Sequence, residues 1–358
     1  MFIMSRNKEI SRNLCFDPIW PRENKLSKML ESIYACLYAS YKHGHEKEFF
    51  WVSGITLVGV GIFGILGNIL NLVVLCHRQL RRKTFYQLLI LLACFDLLFP
   101  ASYGVSIGYQ SLACQPTNDS VGYFTFYFLN FGLMGSIYST VAVSLERYVA
   151  VVHPRFMVRP RIYIYTIMVL TITISFCIPM FISRKYTWVN GTLVMSEKDW
   201  AHNDVSERYY DWFTWFIVSL LPCFILVICN SLIVINIYQL PKMIRSPTTL
   251  KLTERTSRLK STMKILFLVV FVFLFTHSIR LAYKFLYKFR CSNDDEDCMS
   301  KWYVITPIYK LLLMFNSAVN CIIYCLFGRK FRNVLNSVAL NCFCWYNIAC
   351  RCTKENCI

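Results

Sequence analysis

Charge is scarce in this sequence. Asp, Glu, Lys and Arg together make up 16% of its 358 residues, while 56% are hydrophobic. A soluble domain carries about a quarter charged residues, so an ordinary water-facing surface is excluded. Acids are the scarcer sign, 20 against 38 Lys and Arg. There is no soluble-type repeat, no low-complexity tract, no nucleophile–base pair, no phosphate loop and no metal motif, which argues against an enzyme. Met1 to Met4 begins apolar, but Arg6, Lys8 and Glu9 interrupt before a leader-type apolar region forms. The first span is therefore expected to act as its own insertion signal. Cysteine is not scarce, at 17, but most cysteines lie inside apolar runs or in the C-terminal tail. That distribution excludes a secreted disulfide framework.

The apolar residues are clustered. Long runs recur, each near the ~20 residues that cross a bilayer as a helix. Seven spans are expected, at 51–76, 85–110, 121–146, 162–183, 211–238, 261–288 and 302–326. Residues 1–50 read as an extracellular tail, with a short amphipathic helix around Leu26 to Tyr41. Residues 51–326 read as the bundle, and 327–358 as a cytoplasmic tail. The net charge of +18 suits either nucleic acid or a membrane protein with basic cytoplasmic loops, and the loops decide. The first carries Arg78, Arg81, Arg82 and Lys83; the third carries Arg155, Arg159 and Arg161; the fifth carries six Lys and Arg from Lys242 to Lys260. The second has none, and the fourth and sixth are mixed with acids. The odd loops are therefore cytoplasmic, the N-terminus lies outside, and nucleic acid is not a partner. The sequons at Asn118 and Asn190 both fall in loops assigned outside.

Polar groups inside lipid-crossing helices are costly and need a reason. Asn68, Asp96, Ser136, Asn316, Ser317 and Asn320 all sit inside spans. An ionised Asp96 buried alone is untenable; it needs donors, a proton or a cation. Asn and Ser on facing helices can supply the donors and can coordinate a small cation such as sodium. The plainer alternative is a hydrogen-bond cluster that only packs helices. At the inner end of span three, Glu146-Arg147-Tyr148 places an acid beside an arginine at the membrane edge. Such a pair can hold Arg147 until a partner competes for it.

These residues resemble the rhodopsin-like (class A) G-protein-coupled receptors over nearly all of residues 50–336. The resemblance is carried, in order, by Gly67-Asn68, Leu92-Ala93-x-x-Asp96, Glu146-Arg147-Tyr148, Pro222 and Asn316-Ser317-x-x-Asn320-x-x-x-Tyr324. It implies an all-α, seven-transmembrane helix bundle with a short amphipathic eighth helix at Phe327 to Leu335. In that helix Phe327, Phe331 and Leu335 are expected to face lipid, and Arg329, Lys330 and Arg332 water or headgroups. It implies an extracellular ligand, a heterotrimeric G protein as partner, and a switch made of Glu146, Arg147, Tyr148 and Tyr324. Several departures resemble the invertebrate FMRFamide-type neuropeptide receptors. Span six reads Phe273-Leu-Phe-Thr276-His277-Ser-Ile279, with His277 where the family's Trp stands and no proline. Span seven has Asn320-Cys321, and the family's extracellular disulfide lacks both cysteines.

A pocket open to the outside is expected to be lined by His277, Arg280, Lys284 and Lys310. Arg280 and Lys284 are four apart and share a helix face. Such cations suit a carboxylate, sulfate or phosphate, whereas an RF-amide peptide favours acids. A peptide and a small anion or lipid therefore both stand as ligands. A light-sensing pigment needs a lysine at Met314, one turn from Lys310, and is disfavoured. A transporter or channel is the reading from another class, and it gives Glu146-Arg147-Tyr148 no role. Cys291 and Cys298 flank an acidic turn and are expected to close a local disulfide. Cys342 and Cys344 are palmitoylation candidates beside the membrane. The stretch Arg258-Leu259-Lys260 is basic where many relatives carry an acid facing the arginine. Glu146 and packing are therefore expected to hold the resting state, with appreciable ligand-free activity.

Overall fold

The computed structural model describes residues 56–113, 120–153, 162–189, 192–198, 212–213, 215–243, 250–290 and 296–340. Seven helices in it are long and apolar enough to cross a membrane. They are α1 (Leu57–Leu75), α2 (Thr84–Ala113), α3 (Ser120–Val152), α4 (Ile162–Ile182), α5 (Leu221–Met243), α6 (Leu250–Arg290) and α7 (Glu296–Phe327). A short helix, α8 (329–340), follows Gly328. The tail 1–50, including its expected helix, lies outside the described residues.

Burial reverses the soluble pattern. Ile62, Phe63, Leu66, Phe224, Phe271 and Leu326 are exposed, whereas Asn68, Asp96, Ser136, Ser317 and Asn320 are buried. Large apolar side chains therefore face lipid and polar ones face the bundle axis. The apolar stretch of α3 is 67% buried and that of α4 only 17%, so α3 is the central helix and α4 a peripheral one.

Small residues set the closest approaches. Gly61, Gly64 and Gly67 form a strip on α1 against α7. A Cβ on them would come within 2.9 Å of Met314, 3.4 Å of Ala318 and 3.0 Å of Cys321 respectively. On α3, a Cβ on Gly132 would lie 2.8 Å from the Phe99 backbone nitrogen, and one on Gly135 would fall on the Phe95 ring. Close backbone contact through glycine is the usual means by which helices associate in lipid.

Two prolines shape the helices by what they fail to donate. Pro100 lies inside α2, and the acceptor its missing N–H would have bonded is the Asp96 carbonyl, one turn back. Pro222 follows a single π-helical turn, Phe216–Leu220, in which the Leu221 N–H bonds the Phe216 carbonyl. In that register the next donor is Pro222, so the Ile217 carbonyl is unclaimed, and Tyr138 of α3 donates to it at 3.0 Å. α6 has no proline and runs as one helix. Its Thr276 hydroxyl bonds back to the carbonyls of Val272 and Phe273, a contact that bends helices slightly.

Two findings differ from expectation. The stretch after α4 forms an antiparallel hairpin, β1 (Arg184–Val189) and β2 (Thr192–Glu197), in register Arg184↔Glu197 to Val189↔Thr192. Within α8, Phe331 does not face lipid: it is buried with Val334, and its ring packs on Tyr324 at 5.7 Å. Leu335 is half-buried against the same core, and Phe327 is exposed. Arg332 turns back rather than outward, donating to the Cys325 carbonyl at 3.2 Å and to Leu326. It thereby satisfies carbonyls left over at the end of α7. Gly328 makes the corner, where a Cβ would lie 2.5 Å from the Tyr324 carbonyl oxygen.

Candidate functional site

Polar chemistry collects at three levels along the bundle axis. At the inner end of α3, Glu146 is fully buried. Arg147 clasps it with both arms of the guanidinium, Nη2 to Oε1 at 2.5 Å and Nε to Oε2. Such a two-pronged pair is the strong form of a charged hydrogen bond. The Arg147 guanidinium carbon also sits 4.5 Å above the centre of the Phe85 ring of α2. Phe85 is itself buried and went unnoticed in the sequence, where nothing separates it from the other aromatics. Tyr148 packs edge-on against His153 at 5.8 Å. Tyr324 is buried, and its hydroxyl has no hydrogen-bond partner among the described residues. Chemically, this level can hold an arginine until a competing acceptor arrives.

The middle level is built around Asp96 of α2. Ser136 of α3 donates to Oδ1 at 2.5 Å, and Asn320 of α7 donates to Oδ2 at 2.6 Å. Ser317 and Asn68 address a different atom. Ser317 Oγ donates to the Asp96 backbone carbonyl at 2.6 Å, and Asn68 Nδ2 approaches the same oxygen at 3.5 Å. That is the carbonyl Pro100 leaves free, so the proline creates the acceptor that ties α7 to α2. Asn68 also donates to the Ser317 carbonyl at 3.1 Å. Four helices thus meet at one acid. Asn316 is half-buried and makes no hydrogen bond to Asp96. Among the described residues no group of three or more His, Cys, Asp or Glu could hold a metal ion.

The outer level lies on α6 and α7. His277 is fully buried and stacks on Phe273 at 4.1 Å, and neither ring nitrogen has a hydrogen-bond partner among the described residues. Arg280, one turn further out, is also buried, and its Nε and Nη1 have no hydrogen-bond partner among the described residues. Tyr283 and Tyr309 pack together at 4.5 Å. Lys310 is half-buried, with its ammonium 5.8 Å from the Tyr103 ring centre. Lys284 lies on α6, but its side chain is outside the described set, as is that of Cys298 at the start of α7. Asn118, Asn190, Cys291, Cys342 and Cys344 lie outside the described residues.

Residues 67–324 match the family model of the 7 transmembrane receptor (rhodopsin family). The chain belongs to that receptor family. Its members are receptors rather than enzymes. Among curated proteins, the chain is 28% identical to an FMRFamide receptor of Drosophila melanogaster, over 89% of this chain and 57% of the fly protein. It is 25% identical to a substance-P receptor of Mus musculus, over 79% of this chain and 69% of the mouse protein. A shorter match, 38% identical, covers 26% of this chain and 20% of a prostaglandin E2 receptor EP4 subtype of Rattus norvegicus. The chain spans 57% of the fly receptor's length and 49% of a probable G-protein coupled receptor of Caenorhabditis elegans.

Proposed function

We propose that this chain is a plasma-membrane receptor with its N-terminus outside, which binds an extracellular peptide and activates a heterotrimeric G protein through Arg147. One observation carries the reading: within a rhodopsin-family bundle, Arg147 is clasped by its neighbour Glu146 at the inner end of the central helix. An arginine held by one local acid is available to a better-placed acceptor, such as the carbonyl-rich end of a Gα helix. Ligand binding then acts as a population shift between two helix packings. The peptide class is supported by two peptide-receptor relatives, the FMRFamide and substance-P receptors.

Asp96 is the modulator in this scheme. A buried carboxylate with hydroxyl and amide groups from α3 and α7 beside it is an oxygen-rich donor set of the kind hard cations take. Asp96, Ser136 and Asn320 would hold a sodium ion there.

The test is expression with a promiscuous Gα and a calcium readout, screening amidated peptides beside anionic lipids and small acids. The expected result is a saturable response to a peptide that Arg147→Ala abolishes at equal surface level. A response that Arg147→Ala leaves intact refutes the switch, and a response to lipids alone refutes the peptide class.

A further inference from the structure

Two side chains at the outer level, Arg280 and His277, are in an unusual predicament. Arg280 offers five N–H donors and no acceptor. It is 7% exposed, and two of its three guanidinium nitrogens are sealed without a hydrogen-bond partner among the described residues. His277 stands one turn deeper on the same helix, fully buried, with both nitrogens unanswered. A buried charge without a partner costs several kcal/mol in principle, so such groups are ordinarily paired.

Among the described residues, no acid supplies the pair. Among residues whose side chains are described, the acids are Asp96 and Glu146. Asp96 is engaged by Ser136 and Asn320, and Glu146 by Arg147. The neighbours that are present are donors or rings. Lys310 adds a second cation against the Tyr103 ring, and Tyr283 and Tyr309 wall the α6–α7 side. The level therefore carries positive charge and hydrogen-bond donors in a low-dielectric setting, where an incoming anion gains most.

We infer that Arg280 and His277 form a subsite for a carboxylate carried by the ligand. The guanidinium offers two parallel N–H groups to the two carboxylate oxygens, and the imidazole offers one donor from below. An arginine-ended, amidated peptide brings only a like charge to this point. The ligand must therefore carry an acid elsewhere, as an acidic side chain or as the head of a fatty-acid-like molecule. The inference rests on the ligand-gated reading above, yet it is tested by binding rather than by signalling.

The full chain, purified into lipid nanodiscs, is melted in the presence of two matched pairs of probes. N-acetylglutamyl amide against N-acetylglutaminyl amide stands for a peptide-borne acid. Hexanoate against hexanamide stands for a lipid-borne one. The expected result is a saturable rise in Tm with at least one acid and not with its neutral twin, lost in Arg280→Gln. The acid giving the larger rise names the source. Arg280→Met, which keeps the volume without a donor, is the second variant. Its probe-free Tm is expected at or above that of the unmodified chain, because it removes an uncompensated charge. Equal responses to acid and neutral twin, a rise that survives in Arg280→Gln, or a probe-free Tm lowered in Arg280→Met would each overturn the subsite. A positive melt with no signalling to any peptide, lipid or small acid would sink the receptor reading and leave the subsite standing.

Discussion

Phe85→Leu should raise ligand-free signalling. Arg147 is held by two contacts, the Glu146 carboxylate and the face of the Phe85 ring at 4.5 Å. On the proposed switch, it must leave both to reach a G protein. A cation over an aromatic face is worth about 0.5–1 kcal/mol when exposed and ~2 kcal/mol when desolvated. Arg147 is 12% exposed and Phe85 2%, which places this contact at the desolvated end, about 1–2 kcal/mol. Leucine keeps an apolar side chain but removes the ring. At 1.4 kcal/mol per tenfold, the resting-to-active ratio should fall roughly 5- to 30-fold. A receptor with about 1% of molecules active without ligand would rise to roughly 5–20%. The assay is ligand-free inositol phosphate accumulation, normalised to receptors at the surface, because the smaller side chain also lowers folding stability in both states. Phe85→Tyr keeps the ring and should signal near the parent level. A Phe85→Leu signal at or below the parent, or an equal rise in Phe85→Tyr, refutes the reasoning.

Three further outcomes follow from packing and hydrogen bonding. Gly132→Ala drives a methyl to 2.8 Å from the Phe99 backbone nitrogen; α2 and α3 must part, and the loss should be about 1–3 kcal/mol, read as a lower Tm in nanodiscs and lower surface expression. Tyr138→Phe leaves the Ile217 carbonyl of the π-turn unanswered, which should cost about 1–3 kcal/mol by the same melt; an unchanged Tm would show that the carbonyl finds another donor. Asp96→Asn keeps the shape and removes the charge, so any rise in Tm with sodium over choline in the parent should vanish in the variant.

The bundle was legible because lipid leaves few options. Every backbone group must be satisfied within the helix, so apolar runs of the right length convert directly to spans, and α4 begins where expected, at Ile162. The polar levels were legible for the related reason that Asp96 and Asn320 have no place in lipid unless they meet. Three things were not read. The hairpin has a sequence signal, since an Asn-Gly pair such as Asn190-Gly191 favours two-residue hairpin connections, but that Asn also heads a glycosylation sequon, which masks the signal. The inward turn of Phe331 and Arg332 was missed because amphipathic spacing gives a helix an apolar face without saying whether bundle or lipid receives it. Phe85 carries no local mark, because its role arises only when α3 brings Arg147 over it.

Pro100 makes the history of two positions inseparable. A chain with alanine there would spend the Asp96 carbonyl inside α2, and the Ser317 hydroxyl, now 2.6 Å from it, would lose its reason to be a hydroxyl. Conversely, losing Ser317 is harmful only where the proline stays. Exchanges at the two sites should therefore be strongly non-additive, with the double replacement milder than the serine change alone. Drift along this lineage would be expected to release Ser317 only after Pro100 has gone.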